Sequence, residues 1–135
     1  MVKINLNYEG DLQFKAVHGP SQTHLMTDAP VDNQGKGRSF SPSDLVATAL
    51  GTCMGTIMGI VAKRDNINLS GMTISVEKEM TSQPVRRIGS LKLDIKVPNI
   101  LTEDEKKKLK NAAETCPVHK SLHPDIKVNL SYTWG

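Results

Sequence analysis

The sequence predicts one domain that mixes strands with helices around a single long helix, and three observations predict it. From Leu45 to Ala62 no residue carries a formal charge. On both sides of that stretch, segments alternate apolar and polar residues with the period of two that marks strands. A chain of 135 residues is long enough to bury one core and too short for two ordinary domains.

Val2 to Tyr8 alternates Val, Ile, Leu and Tyr with Lys and Asn, the pattern of a half-buried strand. Gly10-Asp11 turns the chain into a second strand, Leu12 to Val17. His18-Gly19-Pro20-Ser21 forms the next turn and Gln22 to Thr27 a short third strand, so the N-terminal third reads as an antiparallel meander. From Asp28 to Phe40 the composition changes to Pro, Asp, Asn, Gln and Gly. This long loop passes through Gly35-Lys36-Gly37-Arg38 directly into the central helix, where a functional loop and a simple linker both fit.

Ser41 is suited to cap a helix whose first residue is Pro42, and Asp44 can reach back to the cap as a short capping-box carboxylate. Lys63 and Arg64 place positive charge in the last turn, where the helix dipole favours it, and Asp65-Asn66 offers a stop. Leu45, Val46, Leu50, Met54, Ile57, Met58, Ile60 and Val61 fall on more than one face, so the helix is expected to be surrounded. Such a run also has the length of a membrane span. Its glycines and threonines dilute the hydrophobicity, however, and the flanking strands need a core to cover, which favours a buried helix of a soluble domain. Gly51, Gly55 and Gly59 recur at every fourth position and form a bare stripe against which another backbone can pack closely.

Beyond the helix, Ile67 to Leu69 leads to Gly71. Met72 to Met80 and Ile88 to Val97 then alternate as two strands joined through Ser82-Gln83-Pro84, a hairpin. Thr102-Glu103-Asp104-Glu105 is a capping box for a lysine-rich amphipathic helix that turns Leu109, Ala112 and Ala113 inward and runs to about Thr115. Cys116-Pro117 breaks it, because the residue before proline avoids the helical region. Pro117 to Leu122 reads as a new short helix with Cys116 at or near its N-cap, and Asp125 to Trp134 alternates as a final strand.

Composition narrows the chemistry. The net charge of +3 is spread, Lys106-Lys107-Lys108 is the only basic run, and aromatics make up 4%, which argues against a nucleic-acid surface. The N-terminus lacks the charged-then-apolar pattern of a secretory signal, so a cytoplasmic location is expected. In that compartment the two cysteines are expected to be free, metal-bound or redox-active. No glycine-rich phosphate loop and no G-x-S-x-G elbow occurs, and no cofactor is called for.

Cys53 sits mid-helix between Ala49 and Ile57, a position that suits a small buried hydrophobe. Cys116, at a helix start, is placed where amides lower a thiol's pKa, provided the sulfur is also exposed. His119 fits a base, an inert neighbour or a metal ligand. Cys53, Cys116 and His119 with one of His18, His24 or His123 make a four-ligand metal alternative, without the paired short spacing of structural zinc sites.

The opening Y-E-G-D-L-x-F, S-P-S-D-L-V-A-T-A-L-G-T-C-M around Cys53 and C-P-V-H-K-S-L around Cys116 resemble the OsmC/Ohr family of thiol-dependent peroxidases that reduce organic hydroperoxides. G-K-G-R-S-F-S-P-S-D-L, V-E-K-E-M and the strand ending in Trp134 resemble a less characterised OsmC-like branch, and the resemblance covers nearly the whole chain in order. It implies an α+β, OsmC-like fold with bent antiparallel sheets wrapped around central helices, in an intertwined homodimer with its two active sites at the subunit interface. It also implies that Cys53 is the peroxidatic thiolate, oxidised by an organic hydroperoxide to a sulfenic acid that Cys116 resolves as an intramolecular disulfide. The reductant implied is a dithiol such as lipoamide or a thioredoxin-like partner.

In the family an arginine held by a carboxylate lowers the pKa of the first thiol. Arg38 is the candidate arginine, with Arg86 or Arg87 as alternatives. Ser43 stands where the family has its glutamate, and Asp44, about 100° further round the helix, is the candidate carboxylate. Ser43 also favours a second expectation, a binding or redox-sensing module that keeps the fold and thiols without efficient peroxide turnover. Six methionines and few aromatics suit an apolar site.

Overall fold

The computed structural model describes the whole chain, Met1 to Gly135. The chain divides into two compact units, Met1–Val46 and Ala47–Gly135.

In the first unit β1 (Ile4–Gly10), β2 (Gln13–His18) and β3 (His24–Asp28) form the expected antiparallel meander in the order β1-β2-β3. The register sets Leu6 opposite Ala16 and Tyr8 opposite Phe14, with Ala16 opposite Leu25 on the next strand. Because side chains alternate along a strand, Ile4, Leu6, Tyr8, Phe14 and Leu25 share one face. That face is open. Ile4, Leu6 and Tyr8 are each about three-fifths exposed, at 58%, 62% and 59%. The expectation of a half-buried first strand is therefore corrected for the single chain: alternation marks a face that needs cover and does not say which molecule supplies it.

The loop after β3 contains one short 3-10 turn, Val31–Asn33, and folds back on the strand. Asp28 N–H donates to Phe40 O at 3.1 Å, Gly37 N–H to Ala29 O at 3.2 Å, and Ser39 Oγ to Met26 O at 2.8 Å. These bonds deliver the chain to α1 (Pro42–Arg64), whose limits are those read from its end signals. The short capping box is formed: Asp44 N–H donates to Ser41 Oγ at 3.1 Å, and Ser41 N–H donates to Asp44 Oδ2 at 2.9 Å.

The second unit takes the rest of α1, β4 (Thr73–Thr81), β5 (Arg87–Val97), α2 (Glu103–Ala113), α3 (Pro117–Ser121) and β6 (Lys127–Trp134). β4 and β5 form the expected hairpin, with a bulge between Glu79 and Met80. β6, however, pairs with β5 in parallel, Ser90 opposite Lys127 and Val97 opposite Trp134. This corrects the expectation of purely antiparallel sheets. The connection through α2 and α3 returns the chain to the level where β5 began, and such a crossover is what a parallel pair requires. α2 opens on the capping box foreseen at Thr102 and Glu105, and Lys108 ties it to Asp65 at 2.9 Å, just past the end of α1.

The core of this unit gathers Leu50, Met54, Met58 and Ala62 of α1 with Leu91, Leu93, Ile95 and Val97 of β5 and Leu109 and Ala113 of α2. The α1 residues recur every fourth position, so they form one stripe. Thr48, Thr52, Thr56 and Ile60 form another, and it is exposed. The helix expected to be surrounded is thus buried on one face in the single chain, because its larger side chains concentrate on that stripe. Its length and apolar composition would suit a membrane span, but the packed stripe is that of a core helix. The glycines serve close approach within the unit: a Cβ on Gly51 would lie 2.9 Å from Val76 Cγ2, and one on Gly55 the same distance from Ile74 Cδ1, both on β4.

Candidate functional site

Cys53 is half-buried on the side of α1 away from β4, at a shallow groove of about 410 Å³ formed with Ala49, Thr52, Thr56, Ile57, Pro117 and Val118. The groove is mainly apolar. Thr52 adds little polarity, since its hydroxyl donates to Thr48 O at 2.7 Å. α1 fixes one wall and the start of α3 the other.

Cys116 is the N-cap of α3, as expected, and is fully buried in the core. Its Sγ accepts from His119 N–H at 3.4 Å, and its thiol lies close enough to that of Cys53 for each to feel the other's charge. The two thiols, far apart in sequence, therefore meet. Burial pushes the Cys116 thiol's pKa up, and the neighbouring Cys53 thiol pushes it further, against the smaller lowering by the His119 amide. The lowering expected of an exposed thiol at this helix start is thus corrected: desolvation outweighs one or two amides when the sulfur has no water. Cys116 therefore favours its protonated form.

His119 meets Cys116 through its backbone, and its ring Nδ1 is buried without a hydrogen-bond partner. No group of three or more His, Cys, Asp or Glu side chains is arranged to hold a metal ion, so the donor set of the four-ligand alternative is not assembled in this chain.

Arg38 and Asp44 belong to the first unit, the thiols to the second. Arg38 is clamped. Its Nε and Nη2 donate to the two carboxylate oxygens of Asp28 at 2.7 and 3.3 Å, and its backbone N–H adds a bond of 2.9 Å. On the other side Nη1 lies 3.3 Å from Asp11 Oδ2, which also pairs with Lys36 at 3.0 Å. The Arg38 guanidinium holds the Asp28 carboxyl down to a pKa of about 2, and Asp28 in turn raises that of Arg38. Of the alternatives, Arg87 pairs with Asp125 at 3.2 Å and donates to Gln83 O, while Arg86 beside it is exposed.

An arginine held by a carboxylate was the expected arrangement; the carboxylate is one the sequence did not single out. Asp28 reads as the first residue of a polar loop. Its side chain is fully buried only because that loop folds back over the end of β3. The one available signal is its position opposite the apolar face of the meander, alternating with Thr27.

Comparison with known proteins fits this geometry. Residues 35–131 match the family described as OsmC-like protein. The crystal structure of a candidate osmotic stress induced and detoxification response protein from Psychrobacter arcticus 273-4 superposes with a TM-score of 0.92 at 44% identity, over 98% of this chain and 96% of that one. The organic hydroperoxide resistance protein-like 1 of Staphylococcus epidermidis is 26% identical over 123 residues, 84% of this chain and 88% of that protein. The organic hydroperoxide resistance protein OhrB of Bacillus subtilis shares the fold, with a TM-score of 0.71 at 21% identity over 98% of both chains.

Proposed function

The chain belongs to the family of OsmC-like proteins, a family associated with organic hydroperoxide resistance, and from that membership we propose that it is a homodimeric thiol peroxidase of organic hydroperoxides acting in oxidative-stress defence. The observation that carries this reading is the placement of Cys53, open to an apolar groove on one side and next to a buried second thiol on the other.

In the first step the Cys53 thiolate attacks the distal peroxide oxygen. The O–O bond breaks, the alkoxide leaves and takes up a proton as the alcohol, and Cys53 becomes a sulfenic acid. In the second, the sulfur of Cys116 attacks that of Cys53. The S–O bond breaks, hydroxide leaves with the proton Cys116 held, as water, and a disulfide remains. A dithiol such as lipoamide or a thioredoxin-like protein then returns two electrons. The groove's lining suits an alkyl chain better than hydrogen peroxide. Arg38, fixed by Asp28, is assigned the activating positive charge, and Asp44 the carboxylate of the helix start.

The homodimer is supported by the open face of Ile4, Leu6, Tyr8, Phe14 and Leu25, which is larger and more continuous than isolated surface apolar residues and fits cover by a second copy.

The test is one equivalent of an alkyl hydroperoxide added to reduced protein, followed by intact mass and disulfide mapping. Wild type is expected to lose two hydrogens, and Cys116→Ser to gain one oxygen that dimedone traps. If Cys53 stays a thiol for many minutes, the second reading takes over: a binding or redox-sensing module with the same fold. Asp28 favours that reading, because its carboxylate already offsets the charge of Arg38, with Asp11 shared between Arg38 and Lys36, and so does Ser43 at the family's glutamate position.

A further inference from the structure

The two sulfurs differ sharply in access, and this fixes which of them an incoming reductant meets. Cys116 is wholly buried among the core residues, at the N-cap of α3. Cys53 opens on the groove between α1 and the start of α3. Thiol–disulfide exchange needs the attacking sulfur in line with the bond it breaks, so the attacked sulfur must present an open flank. The surroundings of Cys116 are protein on all sides. We propose that a reducing thiol attacks the Cys53 sulfur, in the same groove that admits the peroxide, and that Cys116 is the leaving group.

This inference rests on the peroxidase reading's use of both thiols. The thiolate of the reductant forms a bond to Cys53 Sγ, the Cys53–Cys116 bond breaks, and Cys116 leaves as a thiolate. The His119 N–H that bonds its sulfur in the reduced protein receives that charge, at 3.4 Å, and a proton from solvent completes the thiol. A second thiol of the reductant then attacks the reductant's own sulfur in the mixed disulfide. Cys53 is released as a thiolate, and the reductant carries away the disulfide, two electrons having passed to the protein.

Two consequences follow from a shared groove. The peroxide and the reductant compete for the same space lined by Ile57, Pro117 and Val118, so turnover is ping-pong, with each substrate inhibiting competitively against the other at high concentration. The mixed disulfide also forms on one cysteine only.

The experiment starts from the disulfide made with diamide, not with peroxide, so that peroxidase activity plays no part in preparing it. Oxidised wild-type protein is mixed with glutathione, quenched in acid after short times, and mapped by mass spectrometry in acid. The expected result is glutathione on Cys53 in at least about tenfold excess over Cys116, the scale on which access separates exchange rates. Equal labelling, or glutathione chiefly on Cys116, overturns the inference, as does failure of diamide to join the two cysteines. A protein that is labelled on Cys53 here but ignores alkyl hydroperoxide keeps this inference and loses the peroxidase reading, so the two fail separately.

Discussion

The glycine stripe of α1 gives a graded stability test. Replacing a helical glycine by alanine gains about 1 kcal/mol from backbone entropy, while forcing a methyl into packed space costs about 1–3 kcal/mol. A Cβ on Gly59 meets nothing within 4 Å, so Gly59→Ala keeps the whole gain. On Gly55 it meets the terminal Cδ1 of Ile74 at 2.9 Å, a side-chain end that can swing aside, so gain and cost nearly cancel. On Gly51 it meets Val76 Cγ2 at 2.9 Å with Ile74 Cγ2 behind it at 3.6 Å, and a valine is stiff at χ1. Gly51→Ala should therefore lose up to about 2 kcal/mol net. For a chain of this size 1 kcal/mol moves Tm by about 4 °C. Thermal unfolding by circular dichroism, at one protein concentration, should rank the variants Gly59→Ala, Gly55→Ala, Gly51→Ala from most to least stable. A Gly51→Ala protein as stable as Gly59→Ala would refute the close approach to β4. A Gly59→Ala protein less stable than wild type would show that the space beside Gly59 is filled in the assembled protein.

The Asp28 carboxyl, lowered from 3.8 to about 2 chiefly by its hydrogen bond to Arg38, contributes stability that is complete above about pH 4 and is lost as pH falls towards 2. Urea midpoints measured from pH 5 to 2 should fall less steeply for Asp28→Asn than for wild type; Asp65, lowered similarly by Arg64 and Lys108, leaves part of the slope in place. Cys116 shows the opposite sign. Its pKa is raised by burial from 9.0, so its contribution is complete below that value and declines at higher pH, and reduced Cys116→Ala protein should show a flatter alkaline limb in the same assay. Leu6→Glu sets a charge in the middle of the open face of the first unit and should convert a dimer to a monomer in light scattering, with helix content retained; an unchanged mass would remove that face from the interface.

What was legible in the sequence was whatever short-range chemistry decides. Ser41, Pro42 and Asp44 at one end and Lys63 and Arg64 at the other mark α1 to the residue, and Thr102 and Glu105 mark α2, because caps and dipole partners act within one helical turn. The direction of β6 was not legible, since alternation along a strand is the same whichever way its neighbour runs. Nor was the burial of Asp28, which depends on a loop of a dozen residues folding back through backbone bonds that any side chain permits. The family motifs identified both cysteines, but a helix start does not show the burial that turns the pKa of Cys116 the other way.

In the peroxidase reading proposed above, that last difference would divide the pair's work. Cys53 stands on a long helix whose bonds on either side fix it, at an edge that faces a groove. Cys116 stands at the first turn of a five-residue helix, sunk in the core, where the sulfur serves as the cap. A buried thiol that keeps its proton is a poor first nucleophile for a peroxide, and it is protected from over-oxidation for the same reason. In the proposed cycle an oxidised Cys53 would have its partner thiol beside it, with no diffusion needed to reach it. The asymmetry of the pair thus comes from placement: one helix leaves its thiol at the groove and the other turns its thiol inward, and on the proposed mechanism this would make Cys53 the entry point and Cys116 the reserve.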